Sequence, residues 1–344
     1  CSWVRRLVSM TSRNTSWNAK PFLLAPAGKD YLWGGNRLRE EFSKELDLSP
    51  LAETWECSTH PDGLSVVATG EHEGKTLKQV LQENPEYLGT HPHTKGELPI
   101  LIKLIDAKRD LSVQVHPDDE YAQKYENGSL GKTEMWYVLD AAKDAKLIYG
   151  FHHPIEKSVL KKSLEEGTVE KLLQKVSIEK DDVFYITAGT VHAIGAGALI
   201  AEIQESSNLT YRMYDYNRID KSGKKRELHI EKALEVADLS GSLQPKQPLR
   251  VLRYRRGFAS ELLCRCKYFQ VERILLNTEC CRTMANFQTE ENSFQVLLCV
   301  DGCGILFDDM GGKIPFFKGD CIFIPACSVP LKIHGKAQVL KIGC

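Results

Sequence analysis

The stretch Leu111-Ser112-Val113-Gln114-Val115-His116 alternates strictly between apolar and polar side chains, the period of a β-strand with one oily face and one face of donors. Extended, it turns Leu111, Val113 and Val115 one way and Ser112, Gln114 and His116 the other. Glu134 opens a second strand-like run, Met135-Trp136-Tyr137-Val138-Leu139. His192 closes a third, Val183-Phe184-Tyr185-Ile186 followed by Thr187-Ala188-Gly189-Thr190-Val191-His192. Taken singly, either histidine would be read as a satisfied core residue. Taken together, Gln114, His116, Glu134 and His192 offer an amide oxygen, two imidazoles and a carboxylate, a donor set that suits zinc or, less specifically, iron or manganese.

The gross numbers set the frame for such a site. A chain of 344 residues with 42% hydrophobic content has material for about two domains with sizeable cores. Its 45 Lys plus Arg against 46 Asp plus Glu leave a net charge of -1, so no basic field exists for nucleic acid or an acidic membrane. A small ligand is the default partner. The apolar runs are too short to span a bilayer, and Cys1-Ser2-Trp3-Val4-Arg5-Arg6 leads into polar Thr11-Ser12-Arg13-Asn14 without the apolar segment of a signal peptide. Residues 1–18 read as a disordered leader, or as an upstream extension before a start at Met10. The 11 cysteines are an odd number, and all but Cys1 and Cys57 lie from Cys264 onward, many inside apolar runs such as Leu297-Leu298-Cys299-Val300. Reduced, buried thiols and a cytoplasmic setting follow. With no CxxC spacing, a thiolate metal site is not expected.

Along the chain, short strands and turns run from Pro21 to about Ser58, and Trp33-Gly34-Gly35 forms a loop. Thr76 caps a helix over Leu77 to Gln82 that Asn84-Pro85 stops. His116-Pro117-Asp118-Asp119 begins another, with the proline just inside it. Two amphipathic helices are expected between Ile155 and Gln174, the second carrying Val169, Leu172, Leu173 and Val176 on one face. They form a small insertion, about 155–175, in a β framework. A helix near Ile230 to Ala237 precedes a linker at 241–249, Gly241-Ser242-Leu243-Gln244-Pro245 onward.

The last hundred or so residues repeat the first domain. Phe294-Gln295-Val296-Leu297-Leu298-Cys299-Val300-Asp301 echoes the Glu134 strand, and Gly319-Asp320-Cys321-Ile322-Phe323-Ile324-Pro325-Ala326 echoes Asp181 to Ala188. Gln295 then stands where Glu134 does and Pro330 where His192 does. Many short strands with Gly/Pro turns in two similar halves argue for a mainly β protein of two jelly-roll barrels, the first carrying the small helical insertion. The turn Ala188-Gly189-Thr190-Val191-His192 resembles the second motif of cupins. The expected domains are a catalytic cupin domain at 19–240 and a cupin-like domain at 250–344 without metal ligands.

Further motifs extend the resemblance: Trp33-Gly34-Gly35, Ala52-Glu53-Thr54-Trp55-Glu56, Gln114-Val115-His116-Pro117, Gly131-Lys132-Thr133-Glu134-Met135-Trp136-Tyr137, Glu202-Ile203-Gln204 and Thr210-Tyr211-Arg212. In order and spacing, nearly the whole chain from Pro21 resembles class I mannose-6-phosphate isomerases of the short bacterial kind. The resemblance implies one zinc ion per chain on Gln114, His116, Glu134 and His192, and interconversion of mannose 6-phosphate and fructose 6-phosphate through an enediol. It also implies Arg212 as the active-site arginine, Lys103 as a substrate-binding lysine, and Ser112 and Lys132 as polar residues of the pocket. Longer relatives carry an acid near the position of Asn208, so no role of that acid transfers here.

Residue chemistry supports some of these roles and leaves others open. Arg212 can fork onto phosphate or a developing oxyanion, or can pair with Asp215. Lys103, inside Leu98-Pro99-Ile100-Leu101-Ile102-Lys103-Leu104-Ile105, must find an anion: a phosphate or a structural carboxylate. Lys132 shares a face with Glu134 and could carry a proton with a lowered pKa. A metal-bound hydroxide and Glu202 stay open as bases. His91, His93, His152 and His153 read as solvent-exposed, and Lys221 to Arg226 as a charged turn. Two rival functions remain: a cupin dioxygenase using ferrous iron on the same two histidines and glutamate, and a non-catalytic sugar-phosphate-binding cupin. Oligomeric state is not legible.

Overall fold

A computed structural model describes residues 17–92 and 96–344. Residues 1–16 of the expected leader, and His93, lie outside the described residues. The fold is mainly antiparallel β, in three sheets. A six-stranded sheet runs in the order Val183–Ile186, Glu134–Ala141, Ala198–Glu205, Ile100–Ala107, Glu53–Cys57, Ala27–Lys29. A five-stranded sheet runs Tyr211–Tyr214, Val113–Val115, His192–Ile194, Lys146–Phe151, Leu173–Ser177. His192 therefore does not close the Val183 strand. It opens its own strand in the other sheet.

Period-two alternation decides what each face of the six-stranded sheet meets. From Ile100–Ala107, the even-numbered Ile100, Ile102 and Leu104 join Met135, Tyr137, Leu199, Ala201 and Ile203 in a core shared with Phe294, Val296, Leu298, Phe323 and Leu340 of the C-terminal half. The odd-numbered Ile105 and Ala107 join Trp136, Val138 and Ile200 on the inner face, packed against Leu147, Val176 and Ile194 of the five-stranded sheet. A strand buried on both faces reads as a continuous apolar run, which is why a single lysine within it stands out.

The C-terminal half is a ten-stranded sheet organised on two long strands, Gln295–Asp308 and Leu331–Gly343, which pair along most of their length. Its repeat of the first half extends to register. Glu134 faces Ile186 and Tyr137 faces Val183; Gln295 faces Ile324 and Leu298 faces Cys321. The same sheet also receives Phe22–Ala25, paired with Cys321–Ile324, and then Val66–Val67. Sequence divides the strand-rich regions near the linker; hydrogen bonding does not. Lys44, buried, reinforces the junction: its Nζ lies 2.9 Å from Glu56 Oε1 and donates to the Gly319 carbonyl at 2.6 Å.

Helix expectations fared unevenly. Leu77–Glu83 forms with a full capping box of Thr76 and Gln79, and Ile230–Val236 forms as expected. The helix after His116 runs Asp119–Tyr125 with Asp118 as its cap, so Pro117 stands before the helix rather than inside it. Of the two insertion helices only Lys157–Glu166 exists, ended by Gly167 at φ 69°. Val169, Leu173 and Val176 are buried as their spacing suggests, yet Leu173–Ser177 is a strand paired with Lys146–Phe151. Sheet pairing overrode a helical period too short to arbitrate. Ten described cysteines are free, but Cys280 and Cys303 are exposed, so burial of the thiols is only partial. Among the described residues no helix is long and apolar enough to cross a membrane.

Candidate active site

Two cross-strand rows face each other inside the N-terminal half. In the five-stranded sheet, Arg212, Gln114, His192 and Tyr149 lie directly opposite one another on neighbouring strands and so share one face. In the six-stranded sheet the row is Trp136, Glu202, Lys103 and Trp55, with Glu134 two residues along from Trp136 on the same side. Between them lies a cavity of about 840 Å3, of the size that small-ligand sites use. Its walls include Gln114, Glu134, His192, Lys132, Lys103, Ser112, Arg212 and Glu202.

At the floor His116, Glu134 and His192 are buried, with ligand atoms all within 4.8 Å of one another. His192 Nε2 lies 3.2 Å from Glu134 Oε1 and His116 Nε2 lies 3.5 Å from Oε2. Each imidazole donates its Nδ1 hydrogen to a carbonyl, His116 to Leu209 and His192 to Thr190, both at 2.8 Å. That bond fixes the tautomer and leaves Nε2 as a lone pair. Two lone pairs and a carboxylate aimed at one point attract positive charge, part of which the Lys132 ammonium supplies, and three such donors from one carboxylate and two imidazoles fit a divalent metal. The turn that delivers His192 is tied to the other histidine: Gly189, at φ 88°, donates its N–H to the His116 carbonyl at 2.9 Å. Gln114 lines the cavity beside them, its Nε2 donating to the Ser112 carbonyl at 3.2 Å.

Lys132 Nζ donates to Glu134 Oε2 at 2.7 Å and to His116 Nε2 at 3.1 Å. Burial works against the Glu134 charge, but Lys132 and His116 outweigh it and hold the carboxyl well below the usual carboxylate range. Burial, then the Lys132 charge, press the His116 imidazolium down to about 3. Of its two expected anions, Lys103 meets structural carboxylates. Its ammonium sits 3.7 Å from Glu53 and 3.5 Å from Glu202, over the Trp55 ring, and still lines the cavity. Desolvation opposes its charge, and the carboxylates, Glu53 first, more than restore it. Glu202, which accepts from Trp136 Nε1 at 2.8 Å, is pushed up by burial and by repulsion from Glu134.

Arg212 does not pair with Asp215, which is held instead by Arg218 and Arg226 at 2.6 and 2.7 Å. Arg212 Nη1 donates to the Glu227 carbonyl at 2.9 Å, and its buried Nε has no partner within the protein. Burial and the neighbouring Arg226 charge lower its pKa. The run Lys221 to Arg226 is more than a charged turn, since Arg226 reaches the cavity wall, as do Lys232 and His229 from beyond it. Glu53 went unassigned in sequence, although Glu53 and Trp55 share a face at i, i+2 and Trp55 Nε1 donates to Glu53 at 2.8 Å. Asn208 lies on the wall and donates to Asp62 at 2.8 Å. His91, His152 and His153 are exposed, as expected.

Comparison with known proteins agrees with this geometry. Residues 22–145 match the phosphomannose isomerase type I catalytic domain and residues 260–343 the mannose-6-phosphate isomerase cupin domain. The chain is 37% identical to the mannose-6-phosphate isomerase ManA of Bacillus subtilis over 93% of its length and 98% of the relative's. It is 43% identical to the mannose-6-phosphate isomerase of Streptococcus mutans over 63% of its length and 68% of that protein. The crystal structure of the mannose 6-phosphate isomerase from Bacillus subtilis superposes with a TM-score of 0.85 at 35% identity, covering 94% of this chain and 99% of that one. With paired halves, a buried His/Glu/His group and full-length relatives in agreement, the chain belongs to the type I mannose-6-phosphate isomerase family.

Proposed function

We propose that this chain interconverts mannose 6-phosphate and fructose 6-phosphate through an enediol, with one zinc ion held by Gln114, His116, Glu134 and His192. The observation that carries the reading is the convergence of two Nε2 lone pairs and a buried carboxylate beside a cavity whose walls also carry Lys103, Lys132, Arg212, Arg226 and Lys232. Bound there, the ion supplies Lewis-acid polarisation of sugar oxygens without redox chemistry.

The reaction moves one hydrogen from C2 of the aldose to C1 of the ketose, and the sugar oxygen that gains charge on the way must be stabilised. Arg212, with an Nε free of protein partners, supplies donors for that charge or for the phosphate. Arg226 and Lys232 on the same wall add positive charge where a phosphate dianion enters. Lys103, bracketed by Glu53 and Glu202, is better matched to sugar hydroxyls than to a second anion. Ser112 lines the same pocket. Two groups are placed to carry the proton: Lys132 beside Glu134, and Glu202, whose raised pKa makes it the stronger carboxylate base.

A coupled assay on mannose 6-phosphate, with chelator and with zinc added back, tests the proposal. Conversion lost to chelator and restored by zinc is the expected outcome. Oxygen uptake with bound iron would instead identify a dioxygenase, and tight binding without conversion a sugar-phosphate carrier.

A further inference from the structure

Lys132 is delivered by a three-residue link, Gly131-Lys132-Thr133, that precedes the strand Glu134–Ala141 and is held from outside it. Asp119, first residue of its helix, accepts from the Gly131 N–H at 2.9 Å. Glu205, last residue of Ala198–Glu205 and 2% exposed, accepts from the Thr133 N–H at 2.8 Å, while its own N–H donates to the Thr133 carbonyl at 3.0 Å. Lys132 N–H donates to the Pro117 carbonyl at 3.1 Å. The link runs so close to the start of the helix that a Cβ on Gly131 would come within 2.4 Å of the Asp118 carbonyl carbon, so glycine is required there.

The two acids that flank the link also face each other, and Asp119 helps hold the Glu205 carboxyl up. Two ionised carboxylates there would repel. Tyr268 of the C-terminal half faces Asp119, and Lys267 and Tyr185 face the same pair. We propose that Asp119 and Glu205, which hold the N–H groups of Gly131 and Thr133 on either side of Lys132, are a positioning pair that sets Lys132 at the pocket. The inference rests on the reading that Lys132 works in turnover. Its chemical signature follows from burial, and then the Asp119 contact, pushing Glu205 up to about 9. Above that pH the pair carries two charges and its grip on the link fails.

The test uses the metal-loaded enzyme, measuring kcat and KM across the alkaline range together with metal content. Glu205→Gln keeps an acceptor for Thr133 and donates to Asp119. It should stay within about threefold of the original kcat near neutral pH, whereas Glu205→Leu should lose roughly 10- to 100-fold with KM and metal content little changed. The fall in kcat near pH 9 should move upward in Glu205→Gln, which has no proton to lose there, and Tyr268→Phe, which removes a group that stabilises the charged pair, should move it upward as well. If Glu205→Leu does not fold, the profile of Glu205→Gln decides alone. A descending limb that superposes on the original, or a Glu205→Gln enzyme as poor as Glu205→Leu, overturns the inference. Full turnover by Lys132→Met would instead sink the role of Lys132, whereas an inactive Lys132→Met beside unaffected Glu205 variants would sink the positioning pair alone.

Discussion

The two halves share strand register and differ in what they point inward. In the first, the inner face carries Glu134, Glu202 and Lys103 around a cavity of about 840 Å3. In the second, Gln295 takes the Glu134 position and Leu297 that of Trp136. Its interior is packed by Leu276, Leu297, Phe316, Ile322 and Val339 around a residual space of only about 30 Å3. One scaffold thus tolerates both a charged, hollow interior and a dry, filled one. Burying Lys103 with two carboxylates takes three charges out of water at once, a cost that a packed apolar interior does not carry. The first half accepts that cost for chemistry; the second, relieved of it, contributes core.

Metal removal should break the comparison most completely. Chelation, or Glu134→Ala, is expected to abolish turnover, with bound metal measured alongside by atomic absorption, while the packed C-terminal core, read by protection of its buried thiols, changes little. An active, metal-free Glu134→Ala enzyme would contradict the site. Next comes Arg212→Ala, expected to lower kcat by roughly 10²–10³ as the loss of a charge-stabilising donor does; a change confined to KM would limit Arg212 to substrate binding.

The matched positions Trp136 and Leu297 sharpen the contrast further. Trp136→Phe removes the donor to Glu202 and should depress kcat about 10-fold. Leu297→Ala should leave kcat of the folded enzyme intact while costing ~2–5 kcal/mol of stability in denaturant titration. An activity loss in Leu297→Ala beyond its unfolded fraction would show the filled half to be coupled to turnover.

The smallest effect concerns thiols. Burial pushes Cys299 up to about 12 and holds Cys321 well above the ordinary thiol range. Deprotonation of Cys299 begins in earnest only as pH approaches 12, so near pH 8 roughly one in 10⁴ is thiolate. Iodoacetamide should therefore label exposed Cys280 and Cys303 in the native protein, and Cys299 and Cys321 only after unfolding. Labelling of Cys321 in the native state would show that the dry half opens.

Much of this was legible because it depends on period two. Alternation around Gln114, His116 and Glu134 told which side chains share a face, and the echo of Glu134 in Gln295 told that the site occurs once. What escaped depends on contacts distant in sequence. Val169 to Val176 matched a helical spacing and became a turn and a strand because Lys146–Phe151 lies alongside. Arg226 looked like part of a solvated turn until Asp215 drew it to the wall. Glu53 stood in a quoted motif, but only the register of Trp55 against Lys103 shows what its charge is for.

The strand Phe22–Ala25 carries a last consequence. Hydrogen-bonded to Cys321–Ile324, it works like a belt end threaded through its own buckle. Cleaving the backbone in the linker near residue 245 would leave two fragments still laced together, and expressing either alone would strip a strand from its neighbour. The protein is divisible on paper, yet it has to be made whole.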